Sequence, residues 1–326
     1  MGLISLIGRL GMALALIGWC APGNAQDYPN RAVKIIIPYG PGGGPDVVAR
    51  IVANQLSTKL GQPFIVENYP GALGTSATTA FLKSPADGYT FFVADASHWA
   101  IFPAMHKLPY DPLKDFVPVS VITESPLFLV VHGAMPVNTV QELVALIRTK
   151  PGAFSYASVG VGSIHHLTME AFKGALGLDI LHVPYKGSGQ AIPALVGGQV
   201  SMALAGMAGV SGFAKDGRVK ILAVNSQNRS SLAPTVPPMA DAGIPDFDFS
   251  AYIGLLARAG TPRTVIDKLS ASLGKASLLP ETIARFANIG LEPAPDATPE
   301  RFGEIIRQDV PKFARVVKIT GIAADK

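Results

Sequence analysis

Short apolar runs alternate with amphipathic stretches from residue 33 onward. Val33–Ile37 has the composition of a buried strand, a glycine-rich turn follows it, and apolar residues recur at helical spacing over residues 47–60. The same pattern then predicts a strand over residues 64–66, a helix over 75–82 and a third strand over 89–93. This βαβαβ order predicts a parallel sheet with helices on its faces.

A second α/β unit follows a proline-rich stretch. Its predicted strands cover residues 127–131, 154–157, 180–183, 201–204 and 221–224, and its predicted helices cover residues 140–147, 165–176 and 191–196. A last strand over residues 252–256 precedes a helical tail, in which the final amphipathic helix contains Pro311 and is expected to bend there. Two successive α/β sheets are therefore expected.

The position of the helical tail favours a two-lobe α/β fold. If the tail packs back on the first sheet, the chain crosses between the lobes twice, near residues 120–126 and 248–251, and two such crossings form a hinge. Lobe 1 then contains residues 26–124 and 251–326, and lobe 2 contains residues 125–250. The sequence leaves open the alternative of two independent domains in series.

The first 25 residues predict a secretory signal peptide. Arg9 precedes an apolar segment over residues 10–19, and Gly23-Asn24-Ala25 supplies the small residues of a cleavage site, so we expect cleavage after Ala25 and a periplasmic location. An uncleaved anchor is disfavoured because a membrane span needs about 20 apolar residues. Trp19 disfavours lipidation of Cys20, and the loss of Cys20 leaves a mature chain without cysteine.

The composition is that of a globular protein without a nucleic-acid-binding surface. Of the 326 residues, 48% are hydrophobic and 15% are charged, with 27 basic residues against 23 acidic ones. The net charge of +4 is spread thinly along the chain. It therefore does not form the concentrated cationic surface that nucleic acids require.

A glycine-rich turn directly after the first strand is a candidate anion site. It places Tyr39, Gly42, Gly43 and Asp46 at the start of a helix. Glycine lets a ligand approach the backbone there, and the helix N-terminus adds about half a positive charge. A plain turn is one alternative. A dinucleotide-binding loop is another, but Pro45 occupies the place of its third glycine.

A second turn of the same kind opens a helix in the second α/β unit. Gly160, Gly162 and Ser163 follow a predicted strand, Ser163 is a predicted N-cap, and His166 lies in the first helical turn. With one glycine turn in each lobe, two helix N-termini can close on a single anion.

Two further loops complete the candidate site. Residues 71–76 form a third glycine turn that contains Ser76, and Asp95 follows the third strand, where Asp95, His98 and Trp99 are expected to line a pocket mouth. No arginine or lysine occurs in these loops, which comprise residues 39–47, 71–80, 95–100 and 158–166. A bound carboxylate would therefore be held by backbone N–H groups, hydroxyls and helix dipoles, which suits a protein that must release its ligand.

Catalytic and metal sites are not indicated. Residues 160–164 lack the G-x-S-x-G order of a hydrolase nucleophile elbow. His165 and His166 are adjacent, so on a helix their side chains diverge by about 100° and cannot chelate one metal ion. We therefore expect a binding protein without catalytic residues, metal or cofactor.

Several of these motifs together resemble the Bug-type receptors of tripartite tricarboxylate transporters. The resemblance covers essentially the whole mature chain in the family's order and rests on residues 38–46, 66–68, 70–72, 87–90, 160–163, 166–167, 182–187, 197–200 and 259–262. It implies a periplasmic-binding-protein type II fold that closes around a carboxylate. It also implies uptake driven by an ion gradient.

The resemblance further implies site residues and partners. The two glycine turns of the family bind the proximal carboxylate of the ligand, which here selects Tyr39, Gly42, Gly43, Asp46, Gly160, Gly162, Ser163 and His166, with Lys186 and Gly187 added. The implied partners are a small carboxylate and the large and small membrane subunits of a transporter, and we expect the receptor itself to be a monomer. Ala205-Gly206 stands where amino-acid receptors of the family can place an aspartate, which disfavours an amino-acid ligand.

The ligand and the downstream partner stay open. Citrate, a dicarboxylate and an aromatic acid all fit, because family specificity resides in variable loops such as residues 95–99. The alternative function is that of a sensor which passes ligand occupancy to a membrane histidine kinase.

Overall fold

The computed structural model describes residues 28–244 and 247–322 as two mixed sheets flanked by helices. The predicted signal peptide and its cleavage site after Ala25 lie outside the described residues.

The elements are named in chain order. The strands are β1 (Val33–Ile37), β2 (Phe64–Asn68), β3 (Thr90–Asp95), β4 (Phe116–Ser125), β5 (Leu127–His132), β6 (Ser155–Ser158), β7 (Leu181–Pro184), β8 (Met202–Gly206), β9 (Val219–Val224), β10 (Ala251–Arg258) and β11 (Glu292–Pro293). The α-helices are α1 (Gly44–Leu60), α2 (Thr75–Lys83), α3 (Phe102–Met105), α4 (Pro112–Asp115), α5 (Val140–Thr149), α6 (Ile164–Leu176), α7 (Ser188–Val196), α8 (Met207–Lys215), α9 (Arg263–Ser277), α10 (Pro280–Asn288) and α11 (Pro299–Thr320).

The first sheet has the strand order β11-β4-β10-β3-β1-β2. β1 pairs in parallel with β2 and β3, and its Ile35 and Ile37 are fully buried between flanking helices. β10 is antiparallel to both β3 and β4, and β11 is antiparallel to β4. The sheet is therefore mixed, so the prediction of a parallel sheet is correct only for β1, β2 and β3.

The second sheet has the strand order β7-β6-β8-β5-β9. β6 pairs in parallel with β7 and β8, whereas β5 is antiparallel to β8 and β9. The pattern did not predict β4 or α8. β4 lies in the proline-rich stretch. Proline cannot donate a ladder hydrogen bond, and the ladder shifts register where Pro118 pairs with Leu256.

The chain passes between the sheets at two places. β4 ends at Ser125 in the first sheet and β5 begins at Leu127 in the second, and the chain returns between β9 and β10. α11 then packs on β4 of the first sheet and on α6 beside the second sheet. We call the first sheet with its helices lobe 1 and the second sheet with its helices lobe 2. The predicted boundaries, residues 26–124 with 251–326 and residues 125–250, remain a proposal.

Trp99 is a core residue. Its side chain is fully buried, contacts the Phe302 ring edge to face at 5.2 Å between centroids, and donates a hydrogen bond from Nε1 to Asp309 Oδ2 at 3.0 Å. His98 is buried as well. The expectation that Trp99 lines a pocket mouth is therefore wrong, because a π-helical turn over Ser97–Ile101 directs it toward α11.

Candidate functional site

A cavity of about 180 Å³ lies between the two lobes. Lobe 1 contributes the first residues of α1 and the end of β3, lobe 2 contributes the first residues of α6, and the crossing segments form the remaining wall. The lining residues are Gly44, Pro45, Asp95, Ala96, Ser97, Ser125, Leu127, Ile164, His165, Ala251, Tyr252, Ile253 and Leu291.

The glycine turn before α1 leaves backbone N–H groups at the cavity. Gly42 has a φ of +88°, and Gly43 is the N-cap of α1 with φ −76° and ψ 165°. The first turn of a helix has no intrahelical acceptors for its N–H groups. Among the described residues, no acceptor takes the amide of Gly43 or Gly44. These two amides are available to an anion.

Asp46 holds this turn from within. Its Oδ2 accepts hydrogen bonds from the Gly42 amide at 2.9 Å and from Arg50 Nε at 3.0 Å, and its Oδ1 accepts one from Asn68 Nδ2 at 2.9 Å. Burial alone would raise the pKa of Asp46, but the hydrogen bonds from Arg50, Gly42 and Asn68 lower it below the ordinary value. Asp46 thus stays ionised and buried beneath the turn, so it shapes the site without lining the cavity.

Asp95 lies at the end of β3 and lines the cavity directly. The Tyr39 hydroxyl donates to Asp95 Oδ2 at 2.5 Å, the Ser97 amide donates to Oδ1 at 2.9 Å, and His98 Nδ1 lies 3.5 Å from Oδ1. Burial raises the pKa of the Tyr39 hydroxyl well above its ordinary value, and the charge of Asp95 adds to this. Tyr39 is therefore a protonated donor that orients Asp95.

The turn before α6 is held by its own side chains. Ser163 is the N-cap, as predicted: its Oγ accepts from the His166 amide at 3.3 Å and donates to the Gly160 carbonyl at 2.7 Å. The Gly162 amide donates to His166 Nδ1 at 3.0 Å. The amides of Ile164 and His165, in the first turn of α6, have no acceptor among the described residues.

His166 lies beneath this turn in a stack of rings. It stacks on His182 at 3.8 Å between centroids, and His182 stacks on Tyr156 at 4.9 Å. His182 Nε2 is 2.7 Å from the Ser158 hydroxyl, which also contacts Gly160. Burial lowers the pKa of His166, and burial together with the neighbouring His166 lowers that of His182 to about 4. Both rings are neutral at pH 7, which leaves His166 Nδ1 free to accept.

His165 lines the cavity but is not among the predicted ligand-binding residues, because from the sequence we considered it only as a metal ligand. Its Nδ1 is buried without a hydrogen-bond partner among the described residues, and burial lowers its pKa to about 4. The available signal was its place in the first turn of α6, beside the predicted N-cap. Tyr252 was also missed, because it comes from the second crossing rather than from a glycine turn.

Ser76 and Lys186 lie outside the cavity lining. Ser76 is exposed in the first turn of α2, and Lys186 is exposed, with its amide donating to Gln190 Oε1 at 3.2 Å. Of the predicted ligand-binding residues, Asp95 lines the cavity, while the others lie in the turns next to it or farther away. Their contact with a ligand stays a prediction.

The two lobes touch at the rim of the cavity. A Cβ atom added to Gly162 would lie 2.7 Å from Met105 Cε of lobe 1. On another side, Glu292 of β11 accepts hydrogen bonds from the Ser230 hydroxyl at 3.0 Å and from the Ser231 amide at 2.6 Å. The cavity is thus held between lobes that are in direct contact.

The family model of the tripartite tricarboxylate transporter family receptor matches residues 48–322. The chain belongs to this family. It is 36% identical to Protein BugT of Bordetella pertussis over 323 residues, which covers 98% of this chain and 99% of BugT.

Solved structures of similar proteins agree with this assignment. R. palustris Rpa4515 with adipate is 30% identical with a TM-score of 0.75, covering 91% of this chain and 99% of that one. MatC (Rpa3494) from Rhodopseudomonas palustris with bound malate is 30% identical with a TM-score of 0.71, covering 89% of this chain and 100% of that one.

Family membership confirms three predictions: the Bug-type resemblance, the two-lobe α/β binding-protein fold, and a solute receptor rather than an enzyme. Within residues 28–244 and 247–322, no helix is long and apolar enough to cross a bilayer.

Proposed function

We propose that this receptor captures a small carboxylate between its lobes in the periplasm and delivers it to the large and small membrane subunits of a tripartite tricarboxylate transporter. One observation carries the proposal: the N-termini of α1 and α6, one from each lobe, open onto the same cavity. A carboxylate placed between them meets free N–H groups and two partial positive charges.

The neutral character of these donors supports capture followed by release. Among the described lining residues there is no arginine or lysine. The Tyr252 hydroxyl adds a donor, since burial and the nearby Glu124 raise its pKa and keep it protonated. Without a cation in the wall, the carboxylate is held mainly while both lobes surround it, so opening of the lobes favours its release.

The relatives support the ligand class. Structures of two proteins that are 30% identical to this chain contain adipate and malate, both of which are carboxylates. We assign direct backbone contacts to the free amides at the two helix N-termini, those of Gly43 and Gly44 at α1 and those of Ile164 and His165 at α6. The amides of Gly42, Gly160, Gly162 and Ser163 hold the two turns in shape, because each already donates within its own turn. Tyr39, Asp46 and His166 support these turns from behind, and Ser76 and Lys186 are assigned a place at the rim.

Delivery to a transporter is proposed because receptors of this family serve membrane transporters. The described residues provide no observation in favour of the kinase-sensor alternative, so transport is the one function proposed. Export with cleavage after Ala25 belongs to the same proposal, and the intact mass of the periplasmic protein tests it.

A thermal-shift screen of the mature protein against a carboxylate library tests the ligand class. Each acid is paired with its carboxamide, which has nearly the same shape and no charge. A ligand at 100 times its dissociation constant stabilises the native state by about 2.7 kcal/mol. We expect at least one acid, and not its amide, to raise the melting temperature. A screen in which no carboxylate raises it would overturn the proposal.

A further inference from the structure

The charges in the cavity wall are expected to distinguish ligands with one carboxylate from ligands with two. Among the described lining residues, Asp95 is the charged side chain, and it has the same sign as a carboxylate. The two helix N-termini together supply about one unit of positive charge, enough to balance one carboxylate. A second carboxylate in a cavity of about 180 Å³ would find uncharged donors, such as the hydroxyls of Ser125 and Tyr252, but no cation among the described lining residues. It would share this small space with the negative charge of Asp95.

From this pattern we infer that the cavity selects a monocarboxylate whose apolar body ends in a hydrogen-bond donor, with Asp95 and His165 as the residues that set this selection. The inference rests on the proposed function, because it assumes that the first carboxylate binds at the N-termini of α1 and α6.

Asp95 stays ionised and retains the capacity to accept. Burial alone would raise its pKa, but hydrogen bonds and charge from His98, with further hydrogen bonds from Tyr39 and Ser97, lower it below the ordinary value. Its side chain is 26% exposed, and its two oxygens accept one short hydrogen bond each, from the Tyr39 hydroxyl and the Ser97 amide. A carboxylate oxygen has two lone pairs, so Asp95 can accept a further hydrogen bond from a ligand.

His165 provides a second, uncharged polar contact. Because burial lowers its pKa to about 4, the imidazole is neutral at pH 7 and cannot neutralise a second carboxylate. Its Nδ1 is buried without a partner in the described part of the chain, and an unsatisfied buried polar atom is unfavourable. The imidazole ring also lines the cavity, where a hydroxyl or amide of the ligand can pair with it, because a neutral imidazole can either donate or accept.

Four aliphatic side chains form the apolar part of the wall. Leu127 and Ile253 from the two crossings, Ile164 from α6 and Leu291 from the segment before β11 surround the same space. These side chains can bury the methylene or ring carbons of a ligand but offer no hydrogen bond to a second charged group.

Matched acids that differ only at the far end test the selection. The three six-carbon ligands are 6-hydroxyhexanoate, hexanoate and adipate, which end in a hydroxyl, a methyl and a second carboxylate. Four- and eight-carbon sets and the pair benzoate and terephthalate extend the test to other sizes. Calorimetric titration of the mature wild-type protein at pH 7.5 measures each dissociation constant. In every set that binds, we expect the hydroxy acid or simple monocarboxylate to bind at least tenfold more tightly than the diacid.

Two substitutions assign the selection to residues. Asp95→Asn keeps the shape of the side chain but removes its charge, and should reduce the penalty on the diacid at least tenfold relative to the hydroxy acid. His165→Leu should weaken binding of 6-hydroxyhexanoate more than that of hexanoate, so that the preference for the hydroxy acid is lost. Asp216→Asn is the matched control, because Asp216 is an exposed carboxylate directly after α8, and it should leave all ratios unchanged.

The outcomes separate the inference from the proposed function. If a diacid or triacid binds as tightly as its monocarboxylate in the wild-type protein, the selection is wrong and carboxylate capture stands. If Asp95→Asn is folded by its melting temperature and leaves the ratios unchanged, Asp95 does not set them and the inference fails. If no carboxylate of any class binds, the proposed function itself fails.

Discussion

Two adjacent glycines contribute differently to the turn of lobe 1. Gly42 has a φ of +88°, a region that side chains rarely adopt, so the fold requires glycine there. Gly43 has a φ of −76°, and a Cβ atom added to it would meet only Pro45 Cδ, at 4.0 Å. The fold therefore tolerates a side chain at residue 43. A side chain there would instead project beside the amides that are available to a ligand.

Replacing each glycine by valine separates access from folding. Gly43→Val should weaken binding of a carboxylate identified in the screen at least tenfold, which is about 1.4 kcal/mol of binding free energy. The valine side chain would block the approach of the carboxylate to the backbone, and the melting temperature should stay unchanged. Gly42→Val should lower the free energy of unfolding by about 1–3 kcal/mol through backbone strain. Calorimetric titration and thermal unfolding measure both. Unchanged affinity in Gly43→Val would show that the turn has no ligand contact.

We expect Ser163 to affect ligand binding through the turn that it caps. Its hydroxyl is already engaged by the Gly160 carbonyl and the His166 amide. Ser163→Ala should lower the free energy of unfolding by about 1 kcal/mol and weaken carboxylate binding several-fold. Thr139→Ala is the control, because Thr139 caps α5 in the same lobe by accepting from the Glu142 amide at 3.1 Å and does not line the cavity. Equal loss of affinity in both variants would contradict the role of the turn.

At the scale of elements, periodicity predicted most strands and helices of both sheets but not β4. Pro118 interrupts the apolar pattern of β4. This segment becomes a central strand only through its pairing with β10, which lies more than 100 residues later in the chain. The same limit applies to the site. Both glycine turns at helix N-termini were visible as local motifs. Tyr252, Ser125 and Leu127 reach the cavity only because the two crossings meet there, and such meetings depend on non-local packing.

The first crossing contains a carboxyl group with an unusual titration. Glu124 of β4 pairs in register with Tyr252 of β10 and Glu292 of β11. Burial raises its pKa from 4.5 to about 7, and the charges of Asp248 and Glu292 add to this. Because the folded state favours the protonated form, this contribution to stability is complete below about pH 4.5 and is lost as the pH rises through 7.

Glu124→Gln should therefore stabilise the protein progressively as the pH rises from about 4.5 to 7, and should remain stabilising above pH 7. Its free energy of unfolding relative to the wild type should increase between pH 5 and pH 9 by about 2 to 3 kcal/mol, because glutamine avoids the buried charge. Denaturant unfolding across this range measures the difference. Glu281→Gln, at an exposed position on α10, should show no such trend. A Glu124→Gln difference that stays constant with pH would contradict the assignment.

At the scale of the molecule, the structure has the lobes in contact around the cavity. Met105 of lobe 1 reaches Gly162 of lobe 2, and Gly290 of lobe 1 approaches Ala208 at the start of α8, where an added Cβ would lie 3.1 Å from Ala208 Cβ. α11 packs against both lobes. We propose that a ligand enters when these contacts separate and that the lobes then close on it. Ligand binding and closure are thermodynamically linked in this mechanism, because the closed arrangement adds contacts that the open one lacks.

Small-angle scattering of the mature protein, free and saturated with a carboxylate from the screen, tests this most directly. We expect a larger radius of gyration for the free protein and a decrease on saturation, to the value of the arrangement with the lobes in contact. Gly43→Val, titrated with the same acid, should show the decrease only at higher ligand concentration. Identical scattering of the free and saturated wild-type protein would contradict capture by closure of two lobes and would leave a rigid pocket in its place.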